Sequence, residues 1–314
     1  MSRKYKLIFL VTFSLFFASA GSKGGDEIGE LLDLWDYSDP AASELLFVSL
    51  TDVARQSENA DYLPVLITQL ARTNSLRGRF KLAHEQLDQA KSLISEQTSL
   101  AWAFLLLERG RTNNSAGSRL EAIDYFKEAF RIAEIIGDDY LAVDAAHMVA
   151  MTETLENQMK WNVIALGIAE NSKNERARDW LGSLYNNMAW TLFEQEEHEK
   201  ALDLFERAVE FRRSKDNPKR LRIARWAVAR ALRELGRLDE ALEIQQSLLS
   251  ETEDRGLAAD GYVLEELAEL YLIKNDPVAS DFFARAYGIL STDKWLVENE
   301  PERLLRLKKR ALRN

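Results

Sequence analysis

The sequence predicts an all-α chain folded as a solenoid of about six helical hairpins between an N-terminal and a C-terminal helical cap. Three observations carry that prediction. Apolar residues recur at intervals of three and four through most of the chain, which puts them on one stripe of a helix, and no strand-like alternation bounded by hairpin turns occurs. Small residues return in fixed columns every 39 or 40 positions. Turn-forming residues fall in the same register, where each hairpin has to reverse.

The stretch from Leu181 to Arg213 shows one complete unit. In its first half Leu181, Leu184, Tyr185, Met188, Ala189 and Leu192 share a stripe, which ends at Glu194-Gln195-Glu196-Glu197. In its second half Ala201, Leu204, Phe205, Ala208 and Val209 share another. Ala189, Ala201 and Ala208 let two backbones approach, while Tyr185 and Phe205 fill the space beside them. The small column of the first helix is Ala71, Gly110, Ala150, Ala189, Ala229 and Ala268. Twelve residues after each stand Ala83, Ala122, Asn162, Ala201, Ala241 and Ser280. Seven further stand Ala90, Ala129, Ala169, Ala208, Leu248 and Tyr287, with Leu87, Phe126, Leu166, Phe205, Gln245 and Ala284 at the bulky position between. Gly78, Gly117, Asn157, Glu196, Gly236 and Asn275 stand seven past the first column, as turn residues. The third and sixth units match least well.

A small residue, an alanine twelve further on, an aromatic and another alanine form a pattern that resembles the tetratricopeptide repeat, and the resemblance covers about three quarters of the chain. The period exceeds the roughly 34 residues usual for that family, so each unit carries an extra helical turn or a longer connection. HEAT and armadillo repeats, with periods of about 40 to 47, are the competing pattern; the alanine columns favour the tetratricopeptide type. The resemblance implies a right-handed superhelix whose first helices line a concave groove and whose second helices form the convex outside.

Taken from the N-terminus, Arg3, Lys4 and Lys6 precede an apolar run from Leu7 to Ala18, and Ala18-Ser19-Ala20 precedes Gly21, the form of a cleaved signal peptide over residues 1–20. An uncleaved anchor is the alternative, against which the run falls short of the roughly 20 residues a membrane helix needs. The chain has no cysteine, which excludes a lipoprotein anchor and disulfides and points to an exported bacterial protein, periplasmic or secreted. Cleavage leaves 38 basic against 51 acidic residues, a net charge of −13. That charge argues against nucleic acid as a partner, and the mature chain is expected to make no stable membrane insertion. The sequon Asn113-Asn114-Ser115 matters only in a glycosylating compartment.

Residues 21–58 form a flexible start and the N-terminal cap: a short amphipathic helix from Asp26 to Tyr37, then a helix begun by Pro40 under an Asp39 N-cap, with Leu45, Leu46, Val48, Leu50 and Val53 as its apolar face. Residues 59–290 hold the six units, punctuated by Gly137-Asp138-Asp139, Asn171-Ser172, Asp216-Asn217-Pro218 and Arg255-Gly256, with Asp276-Pro277 opening the last helix. Residues 291–314 form the C-terminal cap, where Leu304, Leu305, Leu307 and Leu312 close the stack and a run of cations complements a helix C-terminus.

Chemistry is sparse. His84, His147 and His198 fall in different units without a second ligand at metal-site spacing, and the sequence has no phosphate loop, no GxSxG elbow and no cysteine nucleophile. Asp138-Asp139, Glu196-Glu197 and Glu265-Glu266 are expected as solvated charge in turns or on helix faces, not as acid/base pairs. No cofactor and no catalysis are expected.

Function is therefore sought on the first helices. Their groove-facing positions are Arg72; Phe104, Leu107 and Arg111; Asp144, His147 and Met151; Ser183, Asn186, Asn187, Trp190 and Phe193; and Ile223, Trp226, Arg230 and Arg233. The binding candidates are Arg72, Arg111, His147, Asn186, Asn187, Trp190, Trp226, Arg230 and Arg233. Tryptophan and arginine are what binding hot spots are made of, and a side-chain amide pairs with a peptide main chain through both donor and acceptor. Asn187 is similar to the asparagine that many peptide-binding tetratricopeptide-repeat proteins turn to the ligand main chain. The two-carboxylate clamp of the chaperone-binding members is not reproduced. Trp190 and Trp226 either face the groove or pack between units. The expected function is a non-enzymatic protein- or peptide-binding scaffold. The alternative is a receptor for a small anionic ligand or glycan fragment held by Arg72, Arg111, Arg230 and Arg233.

Overall fold

The structure is a computed structural model that describes residues 26–215 and 217–312. The expected signal peptide over residues 1–20 and the expected flexible start Gly21–Gly25 lie outside the described residues. Helices account for all the regular structure among the described residues, with no strand. Three short helices come first: α1 (Glu27–Asp33), α2 (Pro40–Ser49) and α3 (Thr51–Gln56). Six hairpins follow, α4 (Tyr62–Leu76) with α5 (Phe80–Leu93), α6 (Leu100–Ser115) with α7 (Arg119–Ile136), and α8 (Asp139–Thr152) with α9 (Leu155–Asn171). After the single turn α10 (Glu175–Arg178) come α11 (Leu181–Glu194) with α12 (His198–Arg213), α13 (Pro218–Glu234) with α14 (Leu238–Asp254), and α15 (Gly261–Ile273) with α16 (Ala279–Leu290). The chain ends in α17 (Lys294–Asn299) and α18 (Pro301–Ala311). It is an all-α solenoid of the tetratricopeptide type.

Local chemistry sets the helix ends. Ser99, Asp138, Asn217 and Asp260 each accept a backbone N–H of the helix they precede, and Pro218 takes the first position of α13, where no N–H is needed. The reversal inside a hairpin needs a left-handed residue. Gly236 supplies it at φ 74°, and Glu196 and Asn275 adopt the same conformation at φ 62° and 56°. A side chain there costs about 1–2 kcal/mol, which the packing of both flanking helices offsets. The long period has both of its expected sources: α6 and α7 run to 16 and 18 residues, and α10 lengthens the connection between the third and fourth units.

Packing follows the columns. Ala71, Ala150, Ala189, Ala229 and Ala268 are sealed at the crossings, as are Ala83, Ala122, Ala201 and Ala241, and Leu87, Phe126 and Phe205 fill the bulky column. Gly110 is small for a steric reason, since a Cβ there would lie 2.5 Å from Cε1 of Phe126. Asn162 and Gln245 occupy column sites at 1% and 0% exposure, and their amide atoms find no hydrogen-bond partner in the chain.

Several sequence expectations are corrected. Asn157 lies within α9 and not in a turn, because the third hairpin reverses earlier, through extended Glu153 and Thr154. In the sixth unit Ala279, Phe283 and Ala286 are buried in place of Ser280, Ala284 and Tyr287. They keep the four-then-three spacing of Ala201, Phe205 and Ala208, so burying the aromatic ring wins over the fixed period. In α2 it is Phe47 that turns inward, with the Trp35 ring edge-on at 5.1 Å, and Leu45, Leu46, Val48 and Val53 are exposed. Ser43 fixes that rotation, its Oγ donating to the Asp36 carbonyl. At the other end Leu304 and Leu307 are buried, whereas Leu305 and Leu312 face solvent. Glu265 and Glu266 are not solvated. Both are buried in α15, Glu265 beneath Arg303 and Arg306 and Glu266 beneath Arg233. Asn113 is buried within α6, which leaves no room for a glycan.

Candidate functional site

The first helices α4, α6, α8, α11, α13 and α15 line the inner face, and its two halves differ. The half built by the first three units is already filled. The α1 segment lies there, with Ile28 and Leu31 joining the cluster of Leu66, Leu70, Phe104 and Leu141. Trp35 Nε1 donates to Gln69 Oε1 at 2.9 Å, and the Arg72 guanidinium lies 5.5 Å from the Tyr37 ring. Arg176 of α10 closes over α1, reaching Asp26 and Asp33 at 2.9 Å each.

Beneath this segment runs a chain of buried charges. Arg72 donates to Glu108 at 3.1 Å, Glu108 also takes Arg111 at 2.5 Å, and Arg111 pairs with Asp144. Burial alone would push the Arg111 guanidinium down; the two carboxylates outweigh it and raise its pKa. Arg72–Glu108 joins α4 to α6, Arg111–Asp144 joins α6 to α8, and Glu108–Arg111 links the two within α6, so the chain ties α4 to α6 to α8. A cavity of about 380 Å³ opens beside it, bordered by Tyr37, Arg72, Arg111, Tyr140, Arg176 and Trp180. His147 stands on α8 with its ring 5.0 Å from that of Trp180 and its Nδ1 buried without a partner in the chain. Burial holds its pKa below the ordinary 6.5, and the nearby Asp144 only partly opposes this. The unfolded chain therefore takes up this proton first as pH falls, and stability drops from about pH 6.5 down to the folded pKa. Unfolding midpoints followed from pH 7.5 to 5.5 should decline, and part of that decline should disappear in His147→Gln.

The half built by units four to six is open. Trp190 and Trp226 lie 5.9 Å apart, and Tyr262 continues the series 6.0 Å beyond Trp226. The Arg230 guanidinium sits among them, 5.4 Å from the Trp190 ring, 5.6 Å from Trp226 and 5.6 Å from Phe193. Both tryptophans are half-buried: Trp190 meets Phe205 edge-on at 4.9 Å, and Trp226 Nε1 donates to the Tyr262 carbonyl at 3.2 Å. Both rings pack between units, and Trp226 also borders a cavity. Arg233 is bound to Glu266 at 2.8 Å, with Arg230 3.7 Å from the same carboxylate. Asn186 and Asn187 are half-buried neighbours on α11, where the Asn186 amide donates to Asn187 Oδ1 at 3.4 Å. A second cavity of about 310 Å³ lies between units five and six, lined by Ile223, Trp226, Leu248, Tyr262 and Val263.

The structure thus places Arg72 and Arg111 at the first cavity, His147 against the Trp180 ring that borders it, and Asn186, Asn187, Trp190, Trp226, Arg230 and Arg233 along the half built by units four to six. Tyr262 is absent from the sequence candidates, although it stands 36 residues after Trp226, as Trp226 does after Trp190. Arg176 and Trp180 fall in a connection that carries no repeat column. Among the described residues no cluster of His, Asp and Glu has the form of a metal site, and no helix is long and apolar enough to cross a membrane.

Residues 181–215 match the tetratricopeptide repeat family. Three solved structures are similar in fold. One is a signal transduction ATPase with numerous domains from Pyrococcus horikoshii, which has a tetratricopeptide repeat sensor (TM-score 0.67, 16% identity, 87% of this chain and 45% of that chain). Another is the apo quorum sensor NprR from B. thuringiensis (0.64, 14%, 92% and 82%). The third is a Rap protein complexed with Competence and Sporulation Factor (0.56, 19%, 89% and 78%). Comparison with the curated proteins found no match. The chain therefore carries a tetratricopeptide repeat and is folded as a solenoid of that type.

Proposed function

We propose that the protein is a non-enzymatic scaffold that binds a peptide or an extended protein segment along the inner face of units four to six. The observation that carries this reading is the open series Trp190, Trp226 and Tyr262 around Arg230, set between the Asn187 amide and an apolar cavity. A ligand main chain would pair with Asn187, and an aliphatic or aromatic anchor would enter the cavity beside Trp226. The similarity in fold to a Rap protein complexed with a factor and to a quorum sensor supports the same reading. The anionic-ligand alternative is less well supported, because Arg72, Arg111, Arg230 and Arg233 all lie against carboxylates of the chain itself.

Panning a random peptide library on the immobilised protein tests the proposal. The selected peptides should share an apolar anchor, and Asn187→Ala and Trp190→Ala should each weaken them by more than about 1 kcal/mol. Peptides that bind all variants equally, or no enrichment, would discard it. We also propose export to the periplasm or beyond. Protein recovered from its native host should then begin at Gly21, and an intact Met1 chain would remove that proposal.

A further inference from the structure

Ser183 and Arg220 border the first cavity, and Arg212 reaches Ser183 from behind. We infer that these three residues form a binding site for a phosphate group, free or carried by a small ester. The inference does not rest on the peptide reading, and none of the four arginines of the anionic-ligand alternative takes part. Arg212, near the end of α12, is only 9% exposed. Among the described residues its guanidinium makes one hydrogen bond, to Ser183 Oγ at 3.1 Å, and pairs with no carboxylate. Burial, and after it the Arg220 charge, hold its pKa below the ordinary value; Asp179 opposes them from a distance. A buried cation is ordinarily paired, and one without a carboxylate destabilises the fold until an anion reaches it.

The guanidinium has a fitted seat. A Cβ on Gly182 would lie 2.6 Å from Arg212 Cζ and Nε, so the glycine is what lets the guanidinium lie against the first turn of α11. That turn is the positive end of its helix, and Trp180 at the N-cap supplies no side-chain acceptor. A cation alone is repelled there, whereas an anion between them is drawn by both. Arg220, exposed in the first turn of α13, adds a second cation without an ion pair among the described residues. The three carboxylates on the cavity border are already taken, Asp33 by Arg176, Asp144 by Arg111 and Asp179 by Lys215. Ser183 Oγ accepts from Arg212 and keeps its own proton to donate. Donors from three helices suit a tetrahedral oxyanion, which is met from several directions, better than a flat carboxylate, which one guanidinium fork can satisfy. The cavity of about 380 Å³, walled by Trp180 and Tyr140, has room for the organic part of an ester beside the phosphate.

Thermal unfolding of the purified protein in phosphate-free buffer tests the site, with inorganic phosphate, phenyl phosphate or sodium chloride added at matched ionic strength. Both phosphate compounds should raise the melting midpoint along a saturating curve, and chloride should not. Whichever of the two binds tighter identifies the source, an ester or the free ion, and either keeps the inference. Arg220→Ala, at an exposed position, and Gly182→Ala, which displaces the guanidinium but keeps its charge, should each raise the dissociation constant roughly tenfold or more. Arg212→Met should abolish the response. With the buried charge gone, it should also melt above the parent when no phosphate is present. A parent without a saturable rise, or an Arg220→Ala protein that responds as the parent does, would overturn the inference. So would an Arg212→Met protein that melts below the parent without phosphate, since the chain itself would then satisfy this arginine.

Discussion

Arg111→Ala is expected to lower the stability of the protein by about 3–5 kcal/mol, because it strands Asp144 inside the solenoid and leaves Glu108 with Arg72 alone. Glu108 is 1% exposed and Asp144 3%, and Arg111 is the cation they share. A surface pair behaves differently. Arg131 and Glu128 lie 2.6 Å apart, yet both are largely open to solvent, so Arg131→Ala should cost about 0–1 kcal/mol. Urea unfolding of the two variants against the parent measures the contrast. Adding Asp144→Asn to Arg111→Met should recover part of the loss, since it removes the stranded charge without restoring the guanidinium and leaves the Arg72–Glu108 pair in place. Equal midpoints for Arg111→Ala and Arg131→Ala would show that the buried chain of charges does not hold the first three units together.

Trp226→Ala should fail in two ways. The ring is half-buried against Trp190 and Tyr262, so its loss should cost roughly 2 kcal/mol of stability, about half the cost of a fully buried tryptophan. It also borders the apolar cavity, so affinity for a library-selected peptide should drop by about 2 kcal/mol or more. Asn187→Ala should lose affinity while keeping the melting midpoint of the parent. Measuring midpoint and affinity on the same samples separates the roles. A Trp226→Ala protein that loses stability but keeps its affinity would reduce the tryptophan to packing and move the ligand elsewhere.

The fold was legible because each hairpin repeats the same steric demand. Where two helices cross there is room for alanine or glycine only, and that demand shows in the letters at Ala71, Ala189 and Ala268. The sixth unit departed from the fixed period because Phe283 could be buried only by moving the second helix one residue earlier. The site was legible in part. Trp190, Trp226 and Arg230 stand out by type and lie together in space. The filling of the other half by α1 was not legible, since Ile28 and Leu31 have the ordinary spacing of any amphipathic helix and nothing in a local pattern says which surface they cover. The same limit applies to the charge chain, whose pairs between helices are separated by 33 and 36 residues.

Asn162 and Gln245 have a consequence for how the solenoid breathes. Every other second helix of the series presents an alanine, leucine, serine or aromatic side chain at these columns, and these two present buried amides that the chain does not satisfy. Each such group weakens its helix by about 1–3 kcal/mol relative to a partnered or apolar one. Opening should therefore begin at α9 and α14, which would exchange their backbone amide hydrogens ahead of α7 and α12. These helices stand behind units three and five, on either side of α11 and its Asn187. The unit that carries Asn187 is thus expected to open later than its two neighbours, so that a ligand bound there would be accommodated by yielding on both flanks and not at the contact itself.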